Sequence, residues 1–142
     1  MKNLILSLFL ACGATFAFAQ DVTLNGETIM ANGKPYAMLK KSKGHPIRYE
    51  IYSLSGERLI TVRHNRNMID GNPAYVMTFM NDHEQAIILN KTTFPAGLIK
   101  KVVKYKLIDN GATINKAAEA EFIDKYPVPE GYLEVEEQDR WM

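Results

Sequence analysis

"YEIYSLSGERLITV", Tyr49 to Val62, sets two runs of alternating apolar residues on either side of Ser55-Gly56. Hairpin geometry selects its register. With Ser55-Gly56 as the two turn residues, Leu54 faces Glu57. One face then carries Tyr49 opposite Val62 and Ile51 opposite Ile60, with Ile47 and His64 at its end. The other carries Glu50 opposite Thr61, Arg48 opposite Arg63, and Tyr52 opposite Leu59. A slip of one residue sets Tyr49 against Arg63 and Ile51 against Thr61, and the sorting is lost. The stretch is a half-buried hairpin, and its polar face brings two arginines directly together.

The same grammar recurs. Asn25-Gly26, Asn32-Gly33 and Asn81-Asp82 each separate short apolar runs, and Gly and Asn tolerate the positive φ of tight turns. Strands are expected near residues 22–24, 27–30, 35–40, 47–54, 57–64, 74–80 and 84–90, with longer loops at 41–46 and 65–73. "AYVMTFM" and "QAIIL" are apolar at every alternation, the mark of interior strands covered on both faces. The cover comes from the C-terminal part. Pro95 opens a helical pattern in which Leu98, Ile99, Val102 and Val103 share a side, with Gly111 after its end. A rival reading exists for "VKYKLIDNGATI", which also alternates like a strand around Asn110-Gly111. "INKAAEAEFIDKY" is a second helix, sided by Ile114, Ala118 and Phe122 and stopped by Pro127 and Pro129. The expected fold is α+β, an antiparallel meander of six or seven strands with two C-terminal helices packed on one face. An all-β sandwich or barrel is the alternative.

Residues 1–19 are expected to be a signal peptide. Lys2 gives a basic start, an apolar run follows, and Ala17-Phe18-Ala19 is a small-residue exit before Gln20. The "AFAQ" ending resembles those of exported Gram-negative proteins. A lipid anchor at Cys12 fits less well, because Phe9 stands where a Leu is usual in such signals. Export to the periplasm or beyond is the expected localisation, with residues 20–142 as one domain ending in an acidic tail, 127–142. Cys12 is the single cysteine, so without the leader no disulfide or thiolate ligand is expected. No transmembrane segment is expected, since no run of about 18 apolar residues occurs.

Net charge is +1, and loss of Lys2 with the leader brings it to zero, which argues against a nucleic-acid binder. The charge is nevertheless uneven. Residues 34–66 hold eight Lys/Arg against Glu50 and Glu57, while residues 117–142 hold eight Asp/Glu against Lys125 and Arg140.

Motifs for chemistry are sparse. His45, His64 and His83 lack paired-ligand spacing, no glycine-rich phosphate loop occurs, and no metal or cofactor is expected. "NDHE", residues 81–84, reads as turn chemistry. "YSLSG", residues 52–56, resembles words in the C-terminal sorting domains of a bacterial secretion system. The likeness spans about twelve residues in mid-chain, and no function is carried over from it.

One constellation remains as a candidate ligand-binding site: Lys41, Arg48, Arg63 and Arg66. Opposed like charges on a sheet are destabilising. Glu50, the acidic tail, or an external anionic ligand or acidic protein surface would relieve them. The expected function is a small exported, non-catalytic binding or accessory protein of the bacterial envelope. The alternative is a small periplasmic hydrolase using His64 or His83 with a nearby acid.

Overall fold

The computed structural model describes residues 21–43, 48–89 and 94–132. The expected leader with Cys12, the loop histidine His45, and residues 133–142 with most of the acidic tail lie outside the described residues.

The strands form one antiparallel sheet in chain order: β1 (Val22–Asn25), β2 (Thr28–Ala31), β3 (Lys34–Lys41), β4 (Arg48–Tyr52), β5 (Arg58–Ile69), β6 (Asn72–Phe79) and β7 (Gln85–Leu89). Then come α1 (Ala96–Lys104), a small hairpin of β8 (Ile108–Asp109) and β9 (Thr113–Ile114), and α2 (Lys116–Lys125). The fold is α+β, and the sheet is open because its end strands, β1 and β7, do not pair with each other. That excludes the barrel.

The β4–β5 register is the one that hides the apolar residues. Arg48 pairs with Arg63, Tyr49 with Val62, Glu50 with Thr61 and Ile51 with Ile60. The turn departs from expectation. Ser53 N–H donates to the Glu57 carbonyl at 2.7 Å, and Gly56 N–H donates to the Ser53 carbonyl at 3.0 Å. Leu54, Ser55 and Gly56 therefore form the loop, and Tyr52 pairs with Arg58, not with Leu59. The register shift leaves Leu59 as a bulge residue, buried among the core. Leu54 N–H meanwhile donates to the Gly111 carbonyl at 2.8 Å, tying the hairpin tip to the β8–β9 turn.

A second correction concerns residues 65–73, expected as a long loop. Here β5 continues to Ile69 and β6 begins at Asn72. Asp70 and Gly71, at φ 52° and 76°, make the two-residue turn whose twist suits a hairpin. Pro73 falls in the irregular stretch between the Asn65–Ala74 and Ile69–Asn72 pairs. The ladder is interrupted there, which lets a strand accept a residue without an N–H.

Alternation in the pleat sends Ala37, Leu39, Tyr49, Ile51, Ile60, Val62, Tyr75, Met77, Phe79, Ala86 and Ile88 to one side, where they meet the helices. From α1 come Leu98, Ile99, Val102 and Val103, from α2 Phe122, and from the connecting segment Leu107, Ile108 and Ile114. The competing readings of residues 98–114 thus each hold for part of the segment. The helix stops at Lys104 and the strand-like remainder is the β8–β9 hairpin.

The other face of β6 and β7 is covered too, by chain that follows α2. Ile87 N–H donates to the Tyr126 carbonyl at 3.0 Å. The chain then passes the sheet's edge, and Val128 and Tyr132 pack on Ala74, Val76 and Ile87. Residues 126–132 are a strap. The continuous apolar composition of β6 and β7 follows from this cover on both sides, although β7 is the last strand of the sheet, not an interior one.

Candidate functional site

Across β3, β4 and β5, on the face turned away from the helices, polar side chains stand in register. Lys40 pairs with Glu50 and Glu50 with Thr61. One row along, Arg48 pairs with Arg63, which pairs with Val76 at the strap-covered patch. Arg48 and Lys40 are exposed and Arg63 is half-buried. Glu50 is engaged within the face: it accepts from the Tyr52 hydroxyl and lies 3.9 Å from the Arg58 guanidinium. The bond to Glu50 pushes the Tyr52 phenol above its usual range. The Lys40 ammonium stands 4.7 Å from the Tyr52 ring centroid, a cation–π contact.

Register places Lys41 apart from this group. It pairs with Tyr49, whose side chain enters the helix-side core, so Lys41 belongs to the opposite face from Arg48 and Arg63. Lys40 is the lysine that shares the arginine face. Arg66 lies in β5 beyond the last regular pair with β6, and its side chain lies outside the described ones.

The histidines are dispersed. His64 is half-buried, edge-on to Tyr75 at 5.2 Å, and Tyr75 stacks on Phe94 at 3.9 Å. Tyr49 closes that aromatic row, 5.6 Å from Phe94. Burial raises the Tyr49 phenol. His83 is exposed in the β6–β7 turn at φ 62°. Among the described residues no three His, Cys, Asp or Glu side chains gather as a metal site would require.

A carboxyl pair between distant segments was not visible in the sequence. Glu119, in the first turn of α2, is buried, and its Oε1 has no hydrogen-bond partner. It meets Asp82 and Asn81 of the β6–β7 turn. Burial first, then the hydrogen bond with Asp82 and its negative charge, push the Glu119 carboxyl up to about 7, against smaller opposing effects of Asn81 and Lys116. Asp82 is exposed, and the partial loss of water around its carboxyl would raise it. Its bonds from Glu119 and from the Glu84 amide at 3.0 Å, with Lys116 nearby, outweigh that loss and hold it below the ordinary carboxylate range. Two carboxyl groups this close titrate as a pair, not independently.

A basic, aromatic corner forms where both helices end. The Tyr105 and Tyr126 hydroxyls lie 3.2 Å apart, and Lys101 Nζ is 3.5 Å from the Tyr126 hydroxyl. Lys125 stands 5.1 Å from the Tyr105 ring and Lys104 5.6 Å from it. Hydrogen bonds from Lys125 and Tyr126 lower the Tyr105 phenol, while burial and the Tyr105 bond push Tyr126 up to about 12. Tyr105 and Tyr126 are the C-cap residues of the two helices, and each last turn carries lysine. Ammonium groups at two helix C-termini complement the partial negative charge there, so the corner has a sufficient structural explanation.

No family model, curated protein or solved structure matches the chain.

Proposed function

We propose that the chain is a small exported, non-catalytic binding protein of the bacterial envelope, and that its exposed sheet face receives a carboxylate-bearing ligand at Arg48 and Arg63. The observation that carries this reading is the direct Arg48–Arg63 pairing on the face away from the helices. Glu50, the acid nearest in sequence to Arg48, is turned to Arg58 and Tyr52. Guanidinium groups offer paired donors that suit carboxylates, and Arg48 stands exposed to receive one. Support for hydrolysis is weaker, since His64 rests against a phenol ring and Asp82, next to His83, is committed to Glu119.

The test is titration of the full mature chain with an oligo-glutamate peptide, followed by calorimetry at low and high salt. Binding should weaken about tenfold or more in Arg48→Glu, and should weaken with salt. The same titration on a chain ending at Tyr132 separates an internal counter-charge from an external one, because removing a competing acidic segment tightens peptide binding. Equal binding by wild type and Arg48→Glu would end the proposal.

A further inference from the structure

We propose that Glu119 and Asp82 form a pH-sensitive latch, which fastens α2 and the strap that follows it to the β6–β7 turn while a proton is shared, and releases them when that proton leaves. The geometry does not depend on the anion-binding reading. Glu119 is only 4% exposed, and its Oε1 is buried without a hydrogen-bond partner. Its neighbours are Asp82 and Asn81 from the β6–β7 turn and Lys116 from α2 itself. Asn81, Asp82, His83 and Glu84 all stand exposed in that turn, so Glu119 is the enclosed member of the pair. A carboxylic acid can donate to a carboxylate; two carboxylates in the same place have no proton between them and repel. Asp82 keeps the charge because the Glu84 amide already donates to it. The buried member, Glu119, therefore carries the proton.

The strap follows directly from α2. The Tyr126 N–H donates to the Phe122 carbonyl, and the Tyr126 carbonyl accepts from Ile87. Val128 and Tyr132 then cover Ala74, Val76 and Ile87. Loosening the first turn of α2 from the β6–β7 turn thus removes one of the attachments that align the strap with β7.

The sign follows from the raised carboxyl of Glu119. The folded state holds a proton that the unfolded chain gives up in the ordinary carboxylate range, so the contribution is complete below that range and is lost as pH rises to about 7. Asp82 is ionised in both states across this interval and adds no slope.

The experiment is denaturant unfolding of the full mature chain from pH 5 to 8, with amide exchange at Ile87 as the local readout. Wild type should show an unfolding constant rising by up to about tenfold per pH unit between about pH 5 and 7, then levelling. Ile87 should lose protection over the same range. Glu119→Gln keeps a donor toward Asp82 and an acceptor toward Asn81 but cannot titrate, so its pH dependence should flatten. The histidines are common to both proteins and cancel in the comparison. Asp82→Asn should move the wild-type transition to lower pH, because burial still acts on Glu119 while the carboxylate partner is gone. An identical pH profile in wild type and Glu119→Gln overturns the latch. Should that variant fail to fold, an unmoved transition in Asp82→Asn overturns it equally.

Discussion

Arg48 stands directly opposite Arg63 across β4 and β5. The pairing is a consequence of what the opposite face demands: the register that buries Ile51 on Ile60 and Tyr49 beside Val62 necessarily sets Arg48 across from Arg63. Like charges so placed cost some tenths of a kcal/mol to about 1 kcal/mol. Arg48→Glu should therefore stabilise the free protein by about 0.2–1 kcal/mol at low ionic strength, with a smaller gain near 1 M salt, where screening is strong. Denaturant midpoints at two salt concentrations measure this. A variant less stable than wild type would show that the opposed pair is already compensated within the fold. Stability and peptide binding are expected to move in opposite directions, which separates a binding surface from an incidental charge cluster.

The end of α1 supplies a second prediction. Lys106 sits at φ 54°, its N–H donating to the Val103 carbonyl, while Leu107 N–H donates to the Val102 carbonyl, both at 3.1 Å. This is the left-handed termination that glycine usually occupies. Lys106 is exposed, so replacing it removes strain without removing packing. Lys106→Gly should raise stability by about 0.5–1 kcal/mol, read as a shifted unfolding midpoint at unchanged m-value. A destabilised variant would mean that the lysine contributes more at the helix end than its conformation costs.

That same residue explains part of what was hidden in the sequence. Glycine is the usual signal of a helix stop and points to Gly111, yet the left-handed residue that ends α1 is Lys106. The strands, by contrast, were legible because turn residues and two-residue periodicity act locally and agree with one another. The Arg48–Arg63 pairing was legible for the same reason, being fixed by neighbours on one hairpin. Lys41 stands on the other face from Arg48, because alternation sends Lys40 and Lys41 to opposite sides, which nearness in sequence does not reveal. The Glu119–Asp82 pair gave no local signal at all. Each residue alone reads as a solvated acid, and only the packing of α2 on the β6–β7 turn joins them.

Tyr36 illustrates a further device that acts at a distance. The β2–β3 register shifts so that Ile29 pairs with Ala37 and Met30 with Pro35, leaving Tyr36 as the extra residue. The bulge turns its ring toward the helix layer. There its hydroxyl donates to the Val102 carbonyl at 3.3 Å and accepts from the Ile108 N–H at 3.0 Å, joining the sheet to α1 and β8. Burial raises the Tyr36 phenol, and the bond from Ile108 works against that rise. Tyr36→Phe keeps the ring but leaves the Ile108 N–H without this acceptor. Destabilisation of about 1–3 kcal/mol is expected. Loss of protection at the Ile108 amide should accompany it, and an unchanged melt with retained protection would show that another acceptor takes over.

Gly111 and Gly56 offer a matched comparison at the contact between the two hairpin tips. Both have positive φ, at 65° and 96°. A Cβ on Gly56 would meet nothing within 4 Å, so Gly56→Ala carries backbone strain alone, about 1 kcal/mol. A Cβ on Gly111 would lie 2.6 Å from Leu54 Cδ1, 2.9 Å from Leu54 Cγ and 3.2 Å from the Tyr36 carbonyl oxygen. Leu54 is 43% exposed, so its side chain has room to swing outward. The Tyr36 carbonyl is backbone within a bulge and has less freedom. The Gly111 carbonyl also accepts from the Leu54 N–H, so any shift of the β8–β9 turn is transmitted to the β4–β5 tip. Gly111→Ala should consequently cost about 1–2 kcal/mol more than Gly56→Ala. Exchange should accelerate at the Leu54 amide in Gly111→Ala but not in Gly56→Ala. Equal costs for the two substitutions would mean that Leu54 relieves the crowding by itself, and that the two tips touch without constraining each other.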